Sequence, residues 1–363
     1  MASPQLTEPG NLPPSPGFVD STLRQVVRVS LGGKQLRVRF SNEFGTVPLA
    51  LTAARIAKPR EGGAIRPETQ QTLFFQGQPA VTIPPRAAAV SDVLSFDLPS
   101  LSDLAVTVHI STPSRDITGH PGSRCTSYLR AGNDVSAPNL TGAIPVDHWY
   151  FLSGVEVQAK SGAQAIVTLG DSITDGRGSP TNGNGRWPDY LARRLNANPS
   201  TREVAVLNAG IGGNCVIRGG LGPPALARLD RDVLAQPGVR WLVVFEGIND
   251  LGGRATNSSD LIAAYQQIIA RAKARGLRVY GATILPCGQS FYFTPALEAA
   301  RQEINQWMRS SKAFDAVIDL DAVLRDPQNP SALSATAESP DHLHPSGLGY
   351  KVLADAFDLG LFV

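Results

Sequence analysis

The stretch AIVTLGDS, residues 165–172, is the clearest structural signal in this chain. An almost wholly apolar run leads to Gly170 and then to two polar residues, Asp171 and Ser172. Short apolar runs of this kind are typical of strands that are buried on both faces of a parallel sheet. Ligands of such sheets bind beyond the carboxyl ends of the strands, so this position makes Ser172 a candidate for chemistry.

Apolar runs alternate with helical segments from this stretch to the end of the chain. In the helical segment that begins at Ser258, apolar residues recur at helical spacing, Asn257 offers a capping side chain, and Gly276 follows the predicted end. This alternation predicts an α/β fold, with a parallel sheet between two layers of helices. The predicted strands are 165–170, 203–210, 240–247, 278–285 and 316–321, and the predicted helices are 186–197, 223–235, 258–274 and 295–311.

The first half of the chain has the period-two pattern of β-strands. RQVVRVSL (24–31) and KQLRVRFS (34–41) alternate apolar and polar residues on either side of Gly32 and Gly33. Two glycines between such runs predict a β-hairpin with a type I′ turn, because both turn positions need positive φ. Further short strands are predicted at 49–56, 71–75, 80–83, 93–98, 104–110 and 148–157.

Many short strands without a convincing helix between them predict a β-sandwich, of a jelly-roll-like kind. The pattern changes near Lys160, and 363 residues are enough for two domains. We therefore expect an N-terminal β-sandwich domain over residues 1–160 and an α/β domain over residues 161–363.

Composition excludes several classes of function. Lys+Arg 33 against Asp+Glu 31 gives a net charge of +2, so nothing favours nucleic acid as a partner. No apolar run approaches the roughly 20 residues of an integral membrane segment. Cys125, Cys215 and Cys287 form no CxxC pair, which disfavours a zinc site; we expect unpaired thiols, with a disulfide between Cys215 and Cys287 left open.

Motifs that follow the first three predicted strands each have a catalytic and a structural interpretation. Ser172 is a nucleophile whose N–H also faces the ligand, or a residue that caps the next helix. The glycines of 208–214 present N–H groups to an oxyanion, or simply form a turn. Asn249, within Gly247-Ile248-Asn249-Asp250, donates an amide N–H to an oxyanion, or caps a helix.

The motif Asp341-His342-Leu343-His344 supplies the base that a serine nucleophile needs. Neutral histidine suits proton transfer near pH 7, and a carboxylate three residues earlier can fix its tautomer. His342 falls on another side of the turn, where packing or solvent exposure is expected. A competing interpretation takes Asp341, His342 and His344 as metal ligands, but no further acidic or histidine cluster supports it. Together, the motifs supply a nucleophile, oxyanion donors, a base and a carboxylate that orients the base.

These motifs, in this order, resemble the sequence blocks of the SGNH (GDSL-type) hydrolase family from about Ala165 to the end of the chain. The resemblance implies a three-layer, flavodoxin-like fold, with no metal and no organic cofactor. It also implies Ser172 as nucleophile, His344 as base and Asp341 as third member of a triad. The implied oxyanion hole consists of the N–H groups of Ser172 and Gly213 and the amide of Asn249, and Gly213 is preferred to Gly212 because it precedes a polar residue.

The first half resembles the β-sandwich that precedes the hydrolase domain in one branch of this family. Members of that branch are commonly exported, which implies a secreted or periplasmic protein, although residues 1–18 lack the basic and apolar regions of a signal peptide.

We expect a serine esterase acting on short-chain, acetyl-type esters, of small molecules or of carbohydrates. Lysophospholipid or aryl-ester hydrolysis and acyl transfer are the alternatives, and a non-enzymatic carbohydrate-binding protein is disfavoured by the intact set of catalytic residues. The oligomeric state stays open.

Overall fold

The computed structural model describes residues 1–254 and 256–363. They form two compact units. The first unit comprises Met1–Ser161 with Thr181–Asn184, and the second comprises Gly162–Pro180 with Gly185–Val363. The first unit is an all-β region of several sheets, and the second is an α/β unit built on a parallel sheet, as the sequence predicts.

The first unit consists of antiparallel strands with short helical turns between some of them. Its strands are β1 (Gln5–Leu6), β2 (Ser21–Arg28), β3 (Gly33–Ser41), β4 (Leu49–Ala57), β5 (Gln71–Thr72), β6 (Val81–Ile83), β7 (Ala88–Val90), β8 (Leu94–Leu98), β9 (Asp103–Thr112), β10 (Thr118–His120), β11 (Ser127–Ala131), β12 (Ile144–Val146), β13 (Trp149–Tyr150) and β14 (Leu152–Val157).

Two of the sheets share one hydrophobic core, which is the arrangement of a β-sandwich. One sheet has the order β12-β11-β2-β9-β4-β5, with β6 also paired to β4. The other has the order β14-β3-β7, with β8 also paired to β3. Val27 and Val106 from the first sheet and Val38 and Phe40 from the second are buried in the same cluster. A small third sheet, β1-β10-β13, completes the unit.

The predicted hairpin between β2 and β3 is wrong. β2 pairs with β9 and β11, whereas β3 pairs with β7, β8 and β14, so the chain crosses from one sheet to the other at the two glycines. Neither glycine has φ in the left-handed region. A Cβ on Gly32 would lie 2.1 Å from the Leu98 carbonyl oxygen, and one on Gly33 would lie 2.6 Å from that of Gln158. Glycine is therefore needed here for close backbone approach.

Two other predicted strands differ in length from those in the structure. The strand predicted at 71–75 is only Gln71–Thr72, and the one predicted at 148–157 divides into β13 and β14. The division falls at Phe151, whose φ of 59° lies in the left-handed region and interrupts an extended chain.

The second unit alternates strands and helices as predicted. Its strands are β15 (Gln164–Gly170), β16 (Val204–Gly210), β17 (Val239–Phe245), β18 (Arg278–Ala282) and β19 (Ala316–Ile318). Its helices are α1 (Ser172–Asp175), α2 (Trp187–Ala197), α3 (Ala225–Leu229), α4 (Ile248–Arg254), α5 (Ser258–Lys273), α6 (Pro295–Ser310), α7 (Leu320–Leu324) and α8 (Gly347–Asp355). A π-helical turn, Asp230–Leu234, continues α3.

The five strands of this sheet, within the described residues, are parallel and have the order β16-β15-β17-β18-β19. This is the 2-1-3-4-5 order of flavodoxin-like folds, in which the chain reverses direction across the sheet beside the first strand. The carboxyl ends of β15, β16 and β17 are therefore neighbours, and the loops that follow them begin at the same edge.

Local signals set the ends of the helices in this unit. The side chain of Asn257 accepts a hydrogen bond from the Asp260 N–H at the start of α5, as predicted, and Gly276 after its end has φ of 76°. The last predicted strand, 316–321, is shorter, because Asp319 instead caps α7 through the Ala322 N–H. Cys125, Cys215 and Cys287 are buried thiols. No helix in the described part of the chain has the length and apolar character of a membrane span.

Candidate active site

Ser172 lies directly beyond the carboxyl end of β15. The preceding residue, Asp171, caps α1 by accepting a hydrogen bond from the Ile173 N–H at 2.9 Å. The capping role considered for Ser172 therefore belongs to its neighbour, and Ser172 is the first residue of the short helix. A Cβ on Gly170 would lie 2.2 Å from Thr174 Oγ1, so the tight turn that presents Ser172 requires glycine there.

His344 and Asp341 lie in the loop between α7 and α8, and this loop brings the imidazole to Ser172. The Ser172 Oγ atom lies 2.7 Å from His344 Nε2, and His344 Nδ1 lies 2.7 Å from Asp341 Oδ2. Ser172 and His344 are 8% and 7% exposed, so the bond between them is almost shielded from water. The three residues form one continuous hydrogen-bonded chain.

The carboxylate of Asp341 is held by several donors at once. Its Oδ1 accepts from the backbone N–H groups of Leu343 and His344, at 3.1 and 3.0 Å, and from the Ser339 hydroxyl at 2.8 Å. Burial alone would raise the pKa of Asp341, but the hydrogen bonds from the backbone and ring of His344 and from Ser339 lower it well below its ordinary value. The group is ionised and can orient and stabilise an imidazolium.

His342 points to a different partner from His344. Its Nδ1 lies 2.8 Å from Glu338 Oε2, whereas the ring of His344 contacts Ser172 and Asp341. The φ of His342 is 56°, in the left-handed region. Within residues 1–254 and 256–363, no group of three or more His, Cys, Asp or Glu side chains is arranged to hold a metal ion.

The glycine motif follows β16 and lies beside the last residues of α1. The N–H of Gly212 donates to Asp175 Oδ2 at 3.0 Å, which fixes that peptide against α1. Gly213 has φ of 69°, in the left-handed region, and its carbonyl accepts from the Leu221 N–H at 3.0 Å. The Leu221 side chain lies beside Gly213, within 3.2 Å of where a Cβ would stand.

Asn249 lies at the second residue of α4, beyond β17, and its side-chain amide has a partner at each end. Nδ2 donates to the backbone carbonyl of Asn214 at 2.9 Å, and Oδ1 accepts from the Tyr292 hydroxyl at 3.0 Å. The amide is therefore linked to the loop that follows β16. A helix cap would instead bond to the backbone of its own helix. Tyr292 was not identified from the sequence, where the run 291–293 shows only as three aromatic residues before a helix.

The buried side chain of Arg228 links the carboxyl ends of β15 and β16. Its guanidinium donates to the Gly170 carbonyl at 3.0 Å, to the Ala209 carbonyl at 2.6 Å and to Asn214 Oδ1 at 3.0 Å. Asp250 also holds the loop after β16, because its carboxylate accepts hydrogen bonds from the N–H groups of Val216 and Ile217 at 2.8 and 3.1 Å. Nothing in the sequence distinguishes Arg228, since an arginine in a helical segment usually faces solvent.

Two further carboxyl groups lie buried beneath the site. Burial raises the pKa of Asp171 to about 7, although the Ile173 N–H opposes this, and raises that of Glu246 to about 8, although Arg228 opposes this. Neither carboxyl oxygen of Glu246 has a hydrogen-bond partner among the described residues. The nearest cation, Arg228, lies 3.7 Å away and also pairs with Asp232 at 3.2 Å, so its charge is shared.

This half of the chain matches a known protein family. The model of the GDSL-like Lipase/Acylhydrolase family matches residues 168–352, about half of the chain, and the match contains Ser172, Gly213, Asn249, Asp341 and His344. The chain belongs to this family. As a GDSL-like lipase/acylhydrolase it is a carboxylic ester hydrolase by class.

Solved structures similar to this GDSL-like hydrolase include a lipolytic protein of the G-D-S-L family from Desulfitobacterium hafniense DCB-2, with 22% identity over 53% of this chain and 97% of that chain and a TM-score of 0.43. A GDSL-like lipase from Bacteroides thetaiotaomicron VPI-5482 has 18% identity over 55% and 89%, with a TM-score of 0.42. A carbohydrate acetylesterase family member from Sinorhizobium meliloti has 14% identity over 55% and 97%, with a TM-score of 0.44. No curated protein matches the chain.

Proposed function

We propose that this GDSL-like hydrolase cleaves short-chain, acetyl-type carboxylic esters through an acyl-enzyme formed on Ser172. The observation that carries the proposal is the hydrogen-bonded chain from Ser172 Oγ through His344 to Asp341, with 2.7 Å at each step. A nucleophile within hydrogen-bonding reach of a base, and a base oriented by a carboxylate, form the arrangement that activates a serine.

The proposed reaction has two acyl-transfer steps. His344 Nδ1–H donates to ionised Asp341, which leaves Nε2 as the acceptor for the Ser172 proton. As Ser172 Oγ attacks the ester carbonyl, His344 takes that proton and returns it to the alcohol that departs when the C–O bond breaks. Water, deprotonated by the same imidazole, then attacks the acyl-enzyme, and the acid leaves with the serine proton restored.

The oxyanion of each tetrahedral intermediate is proposed to be stabilised by the N–H groups of Ser172 and Gly213 and by the amide of Asn249. Two contacts support the choice of Gly213 over Gly212. The Gly212 N–H already donates to Asp175, and the amide of Asn249 is bonded to the carbonyl of Asn214, the residue after Gly213. Neutral donors fixed in advance suit charge that develops only in the transition state.

The apolar surface around the site favours a short acyl group. Leu221, beside Gly213, and Phe291, against the ring of Tyr292, are exposed apolar side chains. Each methylene that is left in water forfeits about 0.8 kcal/mol of transfer free energy. A long acyl chain would therefore gain little from this surface. Whether the ester is carried by a carbohydrate stays a prediction.

Labelling with a fluorophosphonate probe tests the nucleophile, because only an activated serine reacts with it. We expect the wild-type protein to be labelled and Ser172→Ala to be unlabelled, with both proteins equally folded by circular dichroism. Equal labelling of the two would contradict the proposal.

A substrate series tests the ester. We expect kcat/KM to fall from p-nitrophenyl acetate through butyrate and octanoate to palmitate, and we expect acetate release from acetylated xylo-oligosaccharides. A rise with chain length would instead indicate a lipase or lysophospholipase, and preferential transfer to added alcohols would indicate an acyltransferase. An unlabelled wild-type protein without turnover of any ester would leave a binding role.

A further inference from the structure

We infer that Tyr292 is a positioning residue for the oxyanion hole, acting through the side-chain amide of Asn249. The inference deepens the proposed function and rests on it, because an oxyanion donor matters only if an oxyanion forms. Three contacts support it. The Tyr292 hydroxyl bonds to the amide oxygen of Asn249, the amide nitrogen of Asn249 bonds to the Asn214 carbonyl, and the Tyr292 ring packs on Gly252.

The two bonds to the Asn249 amide determine which way it faces. Oδ1 accepts from the Tyr292 hydroxyl at 3.0 Å, and Nδ2 donates to the Asn214 carbonyl at 2.9 Å. Rotation of the amide by 180° would bring its oxygen against the Asn214 carbonyl oxygen, where neither atom can donate. In the observed orientation, one N–H of Nδ2 is used by Asn214 and the second remains to donate to an oxyanion.

The tyrosine ring lies directly on the helix that carries Asn249. A Cβ on Gly252 would stand 2.4 Å from Tyr292 Cγ and 2.7 Å from each Cδ, so any larger side chain would displace the ring. Gly252 follows Asn249 by three residues on α4, which places both on one face of the helix. Tyr292 thus contacts the same face of α4 twice, through its ring at Gly252 and through its hydroxyl at Asn249.

The backbone around Tyr292 is also held in place. The Tyr292 N–H donates to Ser290 Oγ at 3.3 Å, and the Phe293 N–H donates to the Ser290 carbonyl at 3.1 Å. Immediately afterwards the Thr294 side chain caps α6 through the Leu297 N–H. A hydroxyl that must fix another side chain is effective only if its own backbone is fixed, and this turn supplies that condition.

Accepting a hydrogen bond also changes the amide as a donor. A bond to Oδ1 draws electron density toward the oxygen and makes the Nδ2–H groups stronger donors, because linked hydrogen bonds polarise one another. This gain is largest when negative charge appears on the substrate oxygen, that is, in the transition state. Tyr292 should therefore affect kcat more than KM.

The direct test is Tyr292→Phe, which removes the hydroxyl and keeps the ring on Gly252. We expect kcat for p-nitrophenyl acetate to fall about 3- to 10-fold, the value of one hydrogen bond, with KM within about twofold of wild type. Tyr280→Phe is the matched control. It removes a buried hydroxyl bond of the same kind, to the Leu361 carbonyl at 2.6 Å, and should leave kcat unchanged.

A double-mutant cycle separates positioning from general stabilisation. In the Asn249→Ala background, Tyr292→Phe should cause no further loss of kcat, because the amide it acts through is gone. Gly252→Ala, which keeps both polar groups but displaces the ring, should lower kcat at least as much as Tyr292→Phe and should not add to it.

Equal losses from Tyr292→Phe with and without Asn249, or wild-type kcat in Tyr292→Phe, would overturn the inference while leaving the proposed function intact, provided that Ser172→Ala is inactive. An active Ser172→Ala would overturn both. The two failures are therefore distinguishable in one set of variants.

Discussion

The two sides of Ser172 are built in different ways. On the acid–base side, His344 and Asp341 are three residues apart in one loop, and the Asp341 carboxylate is ionised because its hydrogen bonds lower its pKa. On the proposed oxyanion side, Gly213 lies in the loop after β16, Asn249 lies in the first turn of α4 after β17, and Tyr292 belongs to a third segment. The donors on that side are neutral.

The geometry of the two sides therefore has different origins, local chain conformation on one side and strand order on the other. The acid–base side is organised by local chain conformation and by a full charge, so one substitution can remove its function almost completely. The oxyanion side depends on the strand order, which brings the ends of β15, β16 and β17 together, and on several weaker donors. We therefore expect large effects from single changes on the first side and graded effects on the second.

Asp341→Asn should produce the largest loss among the changes that keep Ser172 and His344. An amide cannot stabilise the imidazolium and favours the wrong imidazole tautomer, so kcat should fall on the order of 10⁴-fold while the fold is kept. The measurement is kcat for p-nitrophenyl acetate with circular dichroism. His342→Asn is the matched control in the same loop: its ring pairs with Glu338, and asparagine tolerates its positive φ. A comparable loss in that control would assign the effect to loop damage.

Asn249→Ala should cost less, on the order of 10²–10³ in kcat, because one donor of the oxyanion hole is lost and the others remain. Loss of the amide also frees the Asn214 carbonyl and the Tyr292 hydroxyl, so melting temperature is measured alongside activity. Asn257→Ala removes a helix cap in the same unit and should lower stability by about 1 kcal/mol without affecting kcat. Near-wild-type turnover of Asn249→Ala would remove that residue from the site.

Alanine at each of two adjacent glycines tests which one belongs to the oxyanion side. At Gly213, where φ is 69°, an alanine costs roughly 1–2 kcal/mol of backbone strain. Movement that relieves this strain also moves the N–H, so we expect about a tenfold loss of kcat. At Gly212, φ is ordinary and a Cβ would stand 3.6 Å from Asp175 Oδ2, which is normal contact. Gly212→Ala should keep its activity, and the reverse result would exchange the two assignments.

The features that were predictable from the sequence are those that local patterns determine. The apolar run before Gly170 predicts β15, and the polar residues that follow it lie at the sheet edge, as expected for parallel strands. The spacing of Asp341 and His344 is itself local, so their proximity follows from one turn of chain. Burial on alternate faces was also predictable, since Leu36, Val38 and Phe40 are buried and Arg37 is exposed.

Contacts between distant segments were not predictable in this way. Alternation indicates which face of β3 is buried but not which strands it pairs with, and the predicted hairpin was wrong for that reason. Tyr292 lies 43 residues from Asn249, and no local pattern distinguishes its hydroxyl from a solvent-exposed one. Arg228 has three acceptors in this site only because the sheet brings the ends of β15 and β16 together.

The buried carboxyl groups near the site give a prediction about stability rather than about activity. Hydrogen bonds lower the pKa of Asp341, whereas burial raises the pKa of Glu246, which lies just after β17, to about 8. In the unfolded chain, a glutamate ionises near its ordinary value of 4.5. Between these values the folded state binds one more proton than the unfolded state, so the free energy of unfolding must fall as pH rises, by about 1.4 kcal/mol per pH unit for this group.

Glu246→Gln should remove that contribution, because an amide does not titrate. Denaturation midpoints measured at pH 5, 6.5 and 8 should therefore decline less steeply in the variant than in the wild type, with the variant the more stable protein at pH 8. Asp171, whose pKa burial raises to about 7, still titrates and keeps part of the slope. Glu303→Gln makes the same change at an exposed position and should keep the wild-type slope. Parallel slopes for wild type and Glu246→Gln would mean that Arg228, 3.7 Å away, keeps Glu246 ionised in the folded protein.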